Sequence, residues 1–325
     1  MITDIHRHFV PASFFEFVCS RPEFQVVIKR REGDRIDADI RGMHFGLNTT
    51  FFDLAKQFEQ MDREGVERAV LSLATPFIDY NHDGEFAVET AVRYNDALAD
   101  AITIEPKRCR AWAFLPMQNP QAAADELKRC VRRYGFIGGH IASNVRGVYL
   151  PDPAFEPVLR AAVELNVPLL VHPADPAGKD RTSNYELTVV AGYLFDSTIN
   201  ILKMVCSGFL YRWPNLKLVC AHTGAFSLAL RARMQREVDT NPTIAANLTR
   251  RVGDYLRQLY FDSVCFEPQM LQYATEVVPP EHIMLGSDAP FPLGEADPVG
   301  FVRRSLPSAQ AEAILCANLD RLLEV

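Results

Sequence analysis

Short apolar, β-branched runs alternate with longer amphipathic stretches almost from one end of the chain to the other. Runs at 2–6, 68–74, 110–115, 136–142, 168–172, 216–221, 259–262 and 283–287 have the length and aliphatic content of strands buried on both faces. Between them, 52–64, 86–104, 120–134, 155–165, 187–208, 226–238 and 269–277 carry apolar residues at helical spacing. Strands separated by helices build a parallel sheet. Eight of them predict an α/β fold, a (β/α)8 TIM barrel, and a chain of 325 residues accommodates it as one domain over 1–325.

One segment breaks the rhythm. Residues 14–47 intervene between the first strand and the first helix, far more than the 2 to 6 residues usual for such a loop. Within it, Gln25 to Arg30 and Arg35 to Ile40 flank Glu32, Gly33 and Asp34, a hairpin signal with glycine at the turn. Loops that follow strands emerge at the catalytic face of a barrel, so this hairpin is expected to border or cover the active site.

Composition narrows the class. Hydrophobic residues at 48% and charged residues at 23% supply a large core and argue against disorder. A net charge of −7 provides no basic field for nucleic acid or for an anionic membrane. No apolar run reads as the roughly 20 residues needed to span a bilayer, and the first strand opens without a basic or apolar leader, so a cytoplasmic protein is expected. Seven scattered cysteines without C-x-x-C spacing read as reduced thiols; Cys265, just after a predicted strand, is the one with a secondary claim on the site.

The chemistry gathers at strand ends. His6 and His8 stand two apart at the end of the first strand, where residues i and i+2 share a face. His172 closes the fifth strand before Pro173, His222 closes the sixth, and Asp288 follows the eighth. Four of the eight histidines thus fall at strand termini with a carboxylate at a fifth, a grouping that chance scatter through a barrel rarely yields. Such a set of imidazoles and one carboxylate suits a borderline divalent cation.

The segments DIHRHFVP at 4–11, VHPAD at 171–175, AHTGAF at 221–226 and LGSDAPFPLGE at 285–295 resemble the amidohydrolase superfamily, and within it the aminocarboxymuconate-semialdehyde decarboxylase group. QMDREGV at 60–66 and ATP at 74–76 extend that resemblance over nearly the whole chain. It implies His6, His8, His172 and Asp288 as ligands of one divalent metal ion, zinc first and manganese as the alternative. His222 would be the acid/base beside it, with Asp288 sharing the catalytic work. A second metal would need a bridging lysine or carboxylate on the fourth strand, which has neither; His140 there is open between pocket and packing roles.

The pocket walls depart from the group. Ala174 and Ala289 stand where the decarboxylases carry tryptophan and tyrosine, leaving room for a bulkier ligand. The group also uses an arginine of the inserted segment to hold a substrate carboxylate. Arg41 is near that place, and Arg146 and Arg181 lie in other loops of the same face. Phe77, Tyr80 and His82 follow the second strand and could line an aromatic pocket, whereas His44 and His282 carry no expected role.

Nonoxidative decarboxylation of an unsaturated or aromatic acid is the leading expectation. A metal-dependent hydrolase or hydratase acting on an amide, lactone, ring bond or activated double bond is the alternative, and a scaffold with a structural metal is a third. A small-molecule carboxylate is the expected partner, with a homodimer or larger homo-oligomer by analogy to the group.

Overall fold

The computed structural model describes residues 1–82 and 84–324. Eight parallel strands follow one another around a barrel in chain order: Thr3–His8, Arg68–Ser72, Cys109–Phe114, Gly138–Ala142, Leu169–His172, Leu218–Cys220, Tyr260–Asp262 and Ile283–Met284. The eighth pairs only briefly with the seventh and then turns to the first. Leu285 O accepts from Ile5 N, Asp288 N donates to His6 O and His8 N donates to Ala289 O, which closes the ring. The (β/α)8 expectation is borne out.

Inside the barrel, Ile5, Val70, Trp112, Leu170, Val219 and Met284 pack together, and Leu319 and Leu322 of the last helix join them. Removing these side chains from water contributes about 1.5–3 kcal/mol for each full-sized aliphatic residue. Gly138 is required by this packing, because a Cβ there would lie 2.0 Å from the carbonyl oxygen of Pro168 and 2.9 Å from the Trp112 ring. The layer forms a dry floor.

Helices surround the strands and start where capping chemistry predicts. Asp53 accepts from Ala55 N and Lys56 N to open Leu54–Glu64, and Asn119 accepts from Ala122 N to open Pro120–Tyr134. Differences from the expected pattern concentrate around the site. The helix expected at 226–238 is found at Arg231–Thr240, because the residues after His222 form a tight turn instead.

The inserted segment is larger than a hairpin. Val26–Glu32, Arg35–Ile40 and Met43–Asn48 form a three-stranded antiparallel sheet, preceded by the helix Ala12–Ser20. Its third strand alternates Met43, Phe45 and Leu47 with His44, Gly46 and Asn48, a period-2 pattern that the hairpin expectation left out. Ile36, Ala38, Ile40 and Leu47 bury their side chains in the same apolar core as the barrel.

Among the described residues one helical stretch, Thr188–Cys206, is long and apolar enough to cross a membrane by length and composition alone. It lies on the outside of the barrel with Asp196 wholly buried. That carboxylate accepts from Ser143, Asn144, Tyr149 and the backbone of Ala177, a set of donors that hydrocarbon would not provide. All seven cysteines are free thiols.

Candidate metal centre and adjoining cavity

The first strand turns both histidines inward by a local irregularity. Its register shifts between Asp4 and Arg7, so Asp4 and Arg7 face the helices together while His6 and His8 enter the barrel mouth. Arg7 is completely buried and fully employed, donating to Asp4 at 3.0 Å, Gln57 at 2.8 Å and Glu64 at 2.7 Å. Gln57 donates in turn to the carbonyl oxygen of His8. The backbone carrying the two imidazoles is therefore clamped from behind.

His6, His8 and His172 each have Nδ1 tied to an acceptor. His6 Nδ1 lies 2.6 Å from Asp262 Oδ2, His8 Nδ1 3.2 Å from Leu73 O, and His172 Nδ1 2.9 Å from Pro173 O. With those nitrogens donating, Nε2 of each ring presents a lone pair, and second-group anchoring of this kind orients metal ligands. His6 Nε2 and His8 Nε2 face each other at 3.2 Å, and Asp288 Oδ1 lies 3.0 Å from the latter and 3.3 Å from the former. His172 Nε2 is buried without any protein partner. Convergent acceptors at such spacing require a proton or a cation among them, and three nitrogens with one carboxylate fit a divalent cation such as zinc or manganese.

Single atoms of His6, His172, His222 and Asp288 lie within 4.8 Å of one another, and His8 adjoins this group. All five residues expected at the centre are brought together. His222 Nε2 is 3.5 Å from Asp288 Oδ2, while its Nδ1 has no partner. Burial opposes the charge on His6, yet hydrogen bonds to Asp262 and Asp288 and the charges of both carboxylates outweigh it and raise the ring to about 10. Burial likewise disfavours ionised Asp288, but the hydrogen bonds of His222, His6 and His8 hold its carboxyl well below the usual range. His172 is pushed well below the ordinary histidine value by burial and by the neighbouring histidines.

Asp262 is a residue the sequence reading passed over. It ends the seventh strand, the position that marked Asp288 as important, so the same signal was present. Besides orienting His6, it accepts from the backbone of His222, Thr223 and Val264 at 2.9, 2.9 and 3.0 Å. These bonds hold His222 and Thr223 in the left-handed region, at φ of 56° and 52°, a conformation that costs a non-glycine residue on the order of 1–3 kcal/mol. Gly224 follows at φ 71°, and a Cβ there would strike Phe261 at 2.5 Å.

The family model described as "Amidohydrolase" matches residues 3–325. The chain belongs to that family. It is 28% identical over 253 residues to the 2-amino-3-carboxymuconate-6-semialdehyde decarboxylase of Dictyostelium discoideum, covering 78% of this chain and 70% of that one. It is 30% identical over 250 residues to the gamma-resorcylate decarboxylase of Rhodococcus jostii, covering 71% and 75%. Its fold is similar to that of 5-carboxyvanillate decarboxylase from Novosphingobium aromaticivorans, solved with manganese and 4-hydroxy-3-methoxy-5-nitrobenzoic acid. That match has a TM-score of 0.84 at 20% identity and covers 100% of this chain and 96% of the other. The resemblance read from the motifs is thereby supported over the whole barrel.

A cavity of about 310 Å³ adjoins the centre of this amidohydrolase, and Thr75, whose hydroxyl is 3.3 Å from His172 Nδ1, belongs to its lining. Arg41, Arg146, Tyr80, His82 and Ala174 line it as well. Three other expected wall residues do not. Phe77 is buried against Phe15 and Phe52, where it fastens the inserted segment to the barrel. Arg181 is exposed in the turn Lys179–Arg181, outside the lining. Ala289 is buried at the closure of the barrel, its carbonyl oxygen accepting from His8 N, so the room it releases does not belong to the cavity.

His140 points into the barrel beside His172, with ring centroids 5.9 Å apart, and both its nitrogens are buried without a partner. Cys265 has its thiol raised to about 11 by burial, so it stays protonated and is a poor nucleophile. His282 stacks on Tyr260 and donates to Leu259 O at the opposite end of the barrel, in keeping with a packing role.

Proposed function

We propose that this chain is a metal-dependent, nonoxidative decarboxylase of an aromatic or unsaturated carboxylic acid. One observation carries the reading: three imidazoles have anchored Nδ1 atoms, Nε2 of His6 and His8 lies 3.3 and 3.0 Å from Asp288 Oδ1, Nε2 of His172 is buried without a protein partner, and His222 stands beside them. The named relatives support the reaction type, since both are decarboxylases. His6, His8, His172 and Asp288 would hold the ion, zinc or manganese. When bound, such an ion supplies Lewis-acid polarisation of the substrate oxygens.

The remaining work falls to the chain. Loss of carbon dioxide breaks the bond between the carboxylate carbon and the ring or vinylic carbon, and the electron pair stays on the latter. That carbon must take up a proton. Asp288 Oδ2 lies 3.5 Å from His222 Nε2, and the His222 ring would deliver it. Asp262, by holding the turn that carries His222, keeps the donor in position.

The proposal extends to surroundings and assembly. Seven free cysteines suit the reducing cytoplasm. Exposed Tyr185, Val190, Phe195 and Phe226 suit burial between copies in a homo-oligomer, measurable by light scattering. The deciding experiment is a screen of zinc- and manganese-loaded protein against hydroxybenzoic and muconic-type acids, lactones and amides, read by product mass. A product lighter by carbon dioxide is expected; one heavier by water would replace this reading with a hydrolase or hydratase.

A further inference from the structure

The cavity beside the metal centre is walled by three cationic and three anionic side chains, Arg41, Arg146 and Lys179 against Glu23, Asp79 and Asp175. With histidine counted as neutral, its formal charge is zero. Lys179 Nζ lies 3.2 Å from Asp175 Oδ1, and Arg146 Nε donates to the carbonyl oxygen of Tyr80 at 2.6 Å. Arg41, one of three arginines expected as candidates to receive a substrate carboxylate, is already faced by one, because its Nη1 lies 3.5 Å from Asp79 Oδ2.

That pair is incomplete in a particular way. The Asp79 side chain is only 2% exposed, and its Oδ1 is occupied by the backbone and side-chain nitrogens of Asn81 at 2.8 and 3.0 Å. Oδ2 of Asp79 and Nη1 of Arg41 are both buried, and neither makes a hydrogen bond; His82 Nε2, 3.4 Å from Oδ2, donates instead to the carbonyl oxygen of Glu23. Arg41 is restrained on its other side, where Nη2 donates to Ile78 O at 2.9 Å. Buried polar groups are nearly always satisfied, so one acceptor and one donor side by side describe the complement of a missing group.

Charge decides which group fits. A second carboxylate on the substrate would meet Asp79 as soon as it met Arg41, and two anions a few ångströms apart in a buried wall repel strongly. A hydroxyl or amide can donate to Oδ2 and accept from Nη1 with no such conflict.

We infer that this wall selects substrates bearing one carboxylate, the one that leaves, together with a neutral donor–acceptor substituent such as a hydroxyl, and that Asp79 is the residue that turns away a second carboxylate. The inference rests on the decarboxylase reading, which assigns the reacting carboxylate to the metal centre. Specificity of this kind comes from a repulsive element as much as from attraction.

The test is calorimetric titration of the manganese-loaded protein with 2,6-dihydroxybenzoate and with 4-hydroxyisophthalate. The monocarboxylate is expected to bind about tenfold tighter or more, from like-charge repulsion at a few ångströms. Asp79→Asn keeps an acceptor for Asn81 and removes the charge, so the preference should shrink as the dicarboxylate gains affinity. Arg41→Gln leaves Asp79 uncompensated, so the preference should widen, giving a second variant of opposite sign if the first fails to fold. Equal or tighter binding of the dicarboxylate, no binding of either acid, or a ratio unmoved by both variants overturns the inference. Product mass is scored separately. A binding preference without loss of carbon dioxide would sink the decarboxylase reading and leave the subsite standing, and turnover without the preference would do the reverse.

Discussion

At the barrel mouth, His6, His8 and His172 each have Nδ1 tied to an acceptor, whereas in the wall of the adjoining cavity Arg41 and Asp79 face each other at 3.5 Å with no hydrogen bond between them. The first region sits on strand ends that the barrel holds in place. The second is carried by the inserted segment and the loop after the second strand. Ligands of an ion must converge within a few tenths of an ångström, and rigid strands give that precision. A wall that receives a substituent needs complementarity of charge and donors, which loops supply and vary. The contrast separates what holding an ion requires from what receiving a substituent requires.

The largest expected effect separates proton delivery from metal binding within the first region. His222→Asn should lower kcat by about 10²–10⁴-fold, the usual worth of a positioned general acid, while metal content measured by atomic emission stays near that of the unaltered protein. If the metal is lost with the ring, His222 is a ligand and the proposed division of roles fails. Arg7→Met tests whether the strand end is as rigid as claimed. It leaves Asp4 and Glu64 buried without their cation, so denaturant titration should register a loss of about 3–5 kcal/mol; a change below 1 kcal/mol would mean that the clamp behind His6 and His8 contributes little.

Asp262→Asn probes the anchoring of Nδ1. Metal affinity should fall by about 10–100-fold, the range for residues that orient a ligand from behind, as read by competition with a chelator. Unchanged affinity would show that His6 needs no such partner.

The effect of pH has a definite sign. Metal-free His6, raised to about 10, carries a proton that a metal must displace. Affinity should therefore climb as pH rises from 6 to 9, by up to about tenfold per unit, with protons released on binding. In the metal-free protein a histidine raised above its ordinary 6.5 contributes stability that is fully present below that value and is lost as pH rises toward 10. Melting temperature without metal should thus fall across that window, and a flat profile would contradict the linkage.

The smallest effect lies where the sequence pointed and the cavity does not extend. Arg181→Ala should change stability and kcat/KM by no more than about twofold, as for an exposed side chain away from special features, and a larger loss would bring Arg181 back into the substrate wall.

What could be read without coordinates followed from periodicity and spacing. Apolar runs separated by amphipathic ones imposed the barrel, because each strand needs both faces covered and each helix only one. Strand-end histidines and Asp288 marked the centre, since inward alternation and strand polarity together leave them one common face. Asp262 carries the same mark, a carboxylate at the end of a strand, but its part at the site follows only from its bonds to His6 and to the backbone of His222. Phe77, Ala289 and Arg181 could not be assigned from sequence, because neighbours in a loop diverge toward core, barrel seam or solvent according to contacts distant in the chain. Tertiary structure alone decided the register shift that turns Arg7 outward between two inward histidines, the bonds from Asp262 that hold His222 in a strained turn, and the pairing of Arg41 with Asp79. Each depends on groups brought together from separate parts of the chain, and local propensity carries no information about such a meeting.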